Sequence, residues 1–231
     1  MTRLRLRHLL GGLTLTLATL SAQAVGIAGD VTVQLLAPGG TTGGGPSPIA
    51  LSQTVLNADL TTGVQASNLG GSGDVSGYMQ DNERIFFSDT MILLRVAVGD
   101  DTGDVWTTGY LGSGGTHARY QFDGIAYTGR VITNILVYAF DGFATSGPAS
   151  ATGLLSPVDP AVLVHQLDAD SIAFDLDTEV FKHRFAGSSN NYAEFRIDII
   201  TAAVPEPPVA AYLLLAGGLL PLLRRRMQRR D

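Results

Sequence analysis

The sequence predicts an all-β protein, a single β-sandwich or jelly-roll-like domain flanked by a short apolar helix at each end. Three observations predict it. Runs rich in β-branched and aromatic residues recur along the chain. Clusters of Gly, Asp, Ser and Asn separate them at fairly regular intervals. Between the two ends almost no stretch has a helical period, so there are no alternating helices to cover a parallel sheet.

The elements follow in chain order. Residues 31–36, Val-Thr-Val-Gln-Leu-Leu, form the first expected strand, and a Gly- and Thr-rich loop follows from Pro38 to Pro48. Strands are expected at 84–87, 91–98, 105–110 and 117–122. The longest β-branched and aromatic run is 130–140, and further strands are expected at 171–176 and 192–200. In the last, Phe195, Ile197 and Ile199 share one face and Glu194, Arg196 and Asp198 the other, the period-two pattern of a half-buried strand. Turns are expected at Gly99-Asp100-Asp101, Gly112 to Gly115, Asp123-Gly124, Asp141-Gly142 and Gly187 to Asn190. Near 157–166 a short helix is expected to start at Pro160 with Asp159 as its cap.

Composition narrows the function. With 231 residues and no fixed-period repeat, one sizeable domain is expected. There is no cysteine, which removes disulfides, thiolate metal sites and cysteine nucleophiles. The net charge of −6 conceals an asymmetry. Between residues 25 and 204, seven Lys and Arg stand against nineteen Asp and Glu, leaving −12. Such a body repels phosphate backbones, so no nucleic-acid partner is expected.

The basic residues collect at the ends. Arg3, Arg5 and Arg7 precede an apolar run, Leu9 to Leu20, and Ala22-Gln23-Ala24 supplies a small-x-small cleavage site. This is the three-part build of a secretory signal peptide over residues 1–24, cut by signal peptidase after Ala24. At the other end Val209 to Leu223 is uncharged, and Arg224, Arg225, Arg226, Arg229 and Arg230 follow as a stop-transfer cluster. As a helix, fifteen residues at about 1.5 Å each span roughly 22 Å, short of the roughly 30 Å hydrocarbon core. Pro221 and Gly217-Gly218 weaken the span further. A feeble anchor of this kind suits temporary attachment before removal by an enzyme.

Val204-Pro205-Glu206-Pro207, then an apolar helix, then an arginine cluster, resembles the PEP-CTERM sorting signal of Gram-negative bacteria. The resemblance covers only residues 204–231, and Pro208 stands where such signals often carry Ser or Ala. It implies recognition by an exosortase, a membrane-embedded, cysteine-transpeptidase-like processing enzyme. It also implies export tied to exopolysaccharide and biofilm matrix. Independently, Pro205 and Pro207 fix φ and remove two amide donors, so the motif stays extended ahead of the helix.

Residues 25–203 are thereby expected to form the secreted β-sandwich domain. Within it, His117, His165 and His183 lack the spacing of a shared metal face. Ser72 and Ser113 lie in Gly-rich loops without a Gly-x-Ser-x-Gly elbow. No cofactor is expected, with calcium as the one alternative. Asp100, Asp101 and Asp104 crowd one turn, and Asp175 and Asp177 are expected on one strand face, where a cation would relieve their repulsion. Those turn acids are equally accounted for by a hairpin connection. Trp106, Tyr110 and Tyr120 are a candidate sugar-stacking platform, or else core residues of a sandwich.

The expected function is non-enzymatic: a secreted cell-surface or extracellular-matrix protein with a structural or adhesive role. It would be held briefly in the inner membrane before release to the surface. The alternative is a carbohydrate-binding module for exopolysaccharide, calcium-dependent in one version. A hydrolase using a carboxylate pair is the third reading.

Overall fold

The structure, a computed structural model, describes residues 26–45, 47–66, 73–100, 106–140, 154–157, 159–181 and 192–204. The expected signal segment with Ala22 and Ala24, residues 205–231, Asp101, Asp104, His183 and the turns expected at 141–142 and 187–190 lie outside them.

Fifteen strands occur in the described residues: β1 (Val31–Ala37), β2 (Gly40–Thr41), β3 (Ile49–Val55), β4 (Val64–Gln65) and β5 (Arg84–Ser88) come first. Then follow β6 (Met91–Ala97), β7 (Trp106–Thr107), β8 (Tyr110–Leu111), β9 (Arg119–Asp123) and β10 (Arg130–Phe140). The last are β11 (Leu154–Ser156), β12 (Val164–Gln166), β13 (Ile172–Asp175), β14 (Val180–Phe181) and β15 (Tyr192–Ala203). Among the described residues there is no α-helix, and none long and apolar enough to cross a membrane. The helix expected at Pro160 is a single 3₁₀ turn, Pro160–Leu163, and Asp159 caps it by accepting from the Ala161 N–H at 2.9 Å.

All pairings are antiparallel. One five-stranded sheet has the order β12-β13-β9-β1-β3 and a second has β10-β15-β6-β5-β4. Two small ribbons, β11-β14-β7 and β2-β8, complete the set. The two large sheets share one core. Alternate residues of β1 (Val31, Val33, Leu35) and of β15 (Phe195, Ile197, Ile199) are buried, as the period-two pattern predicts. Aromatic rings join the sheets edge to face. Phe87 of β5 meets Phe122 of β9 at 5.8 Å between centroids, and Phe174 of β13 meets Phe195 of β15 at 4.8 Å. Each pair contributes about 0.5–1.5 kcal/mol beyond area burial.

Two differences from the sequence reading have local causes. The expected strand 105–110 is broken, its halves β7 and β8 entering different ribbons. Gly109 between them has φ +79°, which ends the extended conformation. Strand β3 was not expected. Gln53 interrupts its apolar alternation, and that polar side chain is satisfied by accepting from the Ser76 N–H at 2.8 Å.

Strand β10 lies at the end of its sheet, and a register shift falls between Ile132 and Asn134. Thr133 is the extra residue, and its hydroxyl donates to the Ile200 carbonyl at 3.2 Å. Such a bulge interrupts the regular ladder that would template edge-to-edge pairing.

Candidate functional site

The register of the second sheet builds an organised surface on its outer face. Arg84 of β5 stands opposite Arg95 of β6, which stands opposite Glu194 of β15. Two residues along, Phe86, Leu93, Arg196 and Tyr138 form a second row across β5, β6, β15 and β10. The side chains alternate because the strands are half buried: Ile85, Leu94 and Phe195 go inward, and their neighbours go outward.

Arg84, Arg95, Glu194, Phe86, Leu93 and Arg196 of these rows line a groove of about 470 Å³. At its centre one carboxylate oxygen, Glu194 Oε1, accepts from both Arg84 and Arg95. The Arg84 contact is 2.9 Å and the Arg95 Nε contact 2.8 Å. Burial pushes the Glu194 carboxyl up, but hydrogen bonds from Arg95 and Arg84, together with their charges, outweigh it and hold the group below its ordinary value. Arg95 stacks over Tyr192 at 3.9 Å, Arg196 over Tyr138 at 4.7 Å and Arg84 near Phe86 at 5.2 Å. Arg196 also forms an ion pair with Asp198 at 2.9 Å.

The aromatic platform expected from Trp106, Tyr110 and Tyr120 does not exist. All three are buried, at 6%, 2% and 0% exposure, so no sugar reaches them. Tyr110 and Tyr120 face inward because they share a polar partner there. The carboxylate of Glu83, 2% exposed, accepts from the Tyr120 hydroxyl at 3.0 Å and the Tyr110 hydroxyl at 3.2 Å. It also accepts from the N–H groups of Gln80 at 2.8 Å and Ala97 at 3.3 Å. Burial raises the Glu83 carboxyl to about 7, outweighing the opposing pull of those four donors. Glu179 is fully enclosed, and neither of its oxygens has a hydrogen-bond partner among the described residues. Burial first, and the charge of Glu83 second, push it well above the ordinary carboxyl range. Sequence reading missed this pair, because an isolated Glu in a polar turn gives no sign of burial. Both are sealed from solvent, so neither presents a carboxylate to an outside substrate.

The acidic candidates for calcium separate. Strand β13 ends at Asp175, so Asp177 falls in the following turn and the expected shared face is absent. Asp175 is 2.9 Å from His165 Nε2, and Asp177 is 2.9 Å from His117 Nδ1. Asp100 bridges Thr107 through paired backbone hydrogen bonds, as a residue leading into a hairpin connection does. Among the described residues no three His, Asp or Glu side chains gather in a metal-holding group. Val204, the first residue of the expected sorting motif, is exposed just beyond β15, and its N–H donates to the Gly129 carbonyl at 2.9 Å.

No protein-family model, curated protein or solved structure gives a significant match to this chain.

Proposed function

We propose that this chain is an exported cell-surface or extracellular-matrix protein whose β-sandwich body performs a structural or adhesive role. The arginine- and aromatic-lined groove on the outer face of the second sheet carries this reading. A shallow sheet surface combining stacked guanidinium groups with apolar side chains suits contact with an extended polymer. The N-terminal signal and the Val204-Pro205-Glu206-Pro207 tail support an exported site of action, reached by way of signal peptidase and an exosortase-type enzyme.

Intact mass of the exported protein, from a Gram-negative host carrying an exosortase, tests the sorting half of this reading. The expected species lacks residues 1–24 and the segment beyond the Pro-Glu-Pro motif. Released protein that retains Arg224 to Arg230 overturns it.

A second reading is a carbohydrate-binding module for exopolysaccharide, and the same groove favours it. The binding surface then comprises Phe86 and Leu93 with the neighbouring arginines, in place of the buried Trp106, Tyr110 and Tyr120.

A further inference from the structure

Of the seven basic residues between 25 and 204, three line one groove. In a body carrying −12, that segregation gives one sheet face a sign opposite to the rest. The first row of the groove holds two guanidinium groups and one carboxylate, so a single positive charge remains uncompensated. Of the five N–H donors on each guanidinium, Glu194 takes one on Arg84 and two on Arg95, and the Arg84 side chain is 38% exposed. Arg95 sits over the Tyr192 ring at 3.9 Å, and a guanidinium fork matches a planar, two-oxygen acceptor.

We propose that this groove binds a polysaccharide whose sugar units bear carboxylates, the uronic-acid class. The proposal rests on the polymer-contact reading above and names its ligand chemistry. A sugar carboxylate pairs with Arg84 and Arg95 while the apolar face of its ring lies on Leu93, which lines the groove and is 39% exposed. Charge-assisted hydrogen bonds are about twice as strong as neutral ones, so a carboxylate outcompetes a plain hydroxyl at these donors. One charge per ring also matches one surplus cation. Duplex DNA, with a charge for about every 1.7 Å of axis, demands a far denser cationic surface. At 0.15 M salt, repulsion from the acidic remainder of the body is screened beyond about 8 Å, so contacts within the groove decide binding. Repetition along the polymer then raises the effective concentration of each weak contact.

The test uses the full chain purified in a non-ionic detergent, titrated calorimetrically with polygalacturonate, its methyl-esterified form, dextran sulfate and duplex DNA. We expect polygalacturonate to bind at least tenfold more tightly than each of the others. Arg84→Gln and Arg95→Gln should each weaken it about tenfold, and Leu93→Ala about threefold, with melting temperatures reporting that each variant is folded. Arg84 is the more exposed arginine, so Arg84→Gln serves if Arg95→Gln does not fold. Equal binding of the esterified polymer overturns the carboxylate requirement. Equal or tighter binding of dextran sulfate or DNA reduces the site to a general polyanion surface and overturns the proposal. So does a folded Arg84→Gln chain that binds polygalacturonate as before. Because binding is read on purified protein, it is independent of the intact-mass result: sorting and ligand chemistry fail separately.

Discussion

Tyr120, in the first large sheet, donates its hydroxyl to Glu83, 3.0 Å away at the start of the strand leading into the second. The same carboxylate accepts from the Ala97 N–H of β6 and the Tyr110 hydroxyl of β8. One ionisable group thus ties both sheets and a ribbon together inside a largely apolar core. Buried networks of this kind specify a single arrangement when satisfied, and they make the fold sensitive to protonation.

Stability should fall as pH rises through neutrality. The folded Glu83 carboxyl holds its proton up to about 7, against an ordinary value of 4.5. The stabilisation is therefore complete below about pH 4.5 and is lost as pH passes through about 7, a change on the order of 3 kcal/mol. Urea unfolding of the full chain between pH 5 and pH 8 measures it. The dependence should flatten in Glu83→Gln, which cannot ionise. An unchanged slope in that variant would rule out Glu83 as its source.

Glu179→Leu should stabilise the protein. Both carboxylate oxygens are buried without hydrogen-bond partners among the described residues, a deficit of about 1–3 kcal/mol that an apolar side chain of similar volume removes. The gain should be larger at pH 8 than at pH 5, because the folded group resists ionisation. A melting temperature lower than that of the parent at both pH values would contradict it.

On the acid side Glu194 should act in the opposite sense. Its carboxyl is held below its ordinary 4.5, so its contribution is present above that value and disappears as pH falls through the folded one. Protonation loosens the grip on Arg84 and Arg95. Carbon-13 chemical shifts of the Glu194 carboxyl between pH 2 and 6 should titrate with a midpoint below 4.5, and Arg95→Gln should move that midpoint up.

Gly63→Ala should be among the more damaging single substitutions. Gly63 has φ +64°, and a Cβ there would lie 1.8 Å from the Ile85 carbonyl oxygen on the adjoining strand. The left-handed conformation alone costs a non-glycine residue roughly 1–2 kcal/mol. The backbone collision adds to this, because β4 must move away from β5. We expect a loss above about 2 kcal/mol in chemical denaturation, with Gly43→Ala, which meets nothing within 4 Å, as the near-neutral control.

Calcium should have little effect through Asp175 and Asp177. Each is engaged with its own histidine, His165 or His117, and the two do not share a strand face. Millimolar calcium should shift the melting temperature by less than about 1 °C, since a weakly bound ion adds little stability. A rise of several degrees that Asp175→Asn abolishes would restore these residues as ligands.

Much of the architecture was readable from local pattern. Alternation at 192–200 announced both the strand and its buried face, and the run at 130–140 matched β10 end to end. The Asp159-Pro160 pair marked the capped turn. These features depend on neighbours within a few residues, where sterics and hydrogen bonding act directly. Strand β3 escaped because Gln53 broke the apolar period and only the distant Ser76 amide satisfied it.

The sequence by itself determined that the chain is built of alternating strands, that its body is acidic, and that its basic residues cluster at both ends. The tertiary structure alone decided that Trp106, Tyr110 and Tyr120 point inward, that Glu83 and Glu179 are sealed inside, and that Arg84, Arg95 and Glu194 meet. A period of two says that a strand has two faces but not which one another sheet will cover. Glu194 lies 110 residues from Arg84 along the chain, and only the pairing of β5, β6 and β15 brings them to one carboxylate oxygen.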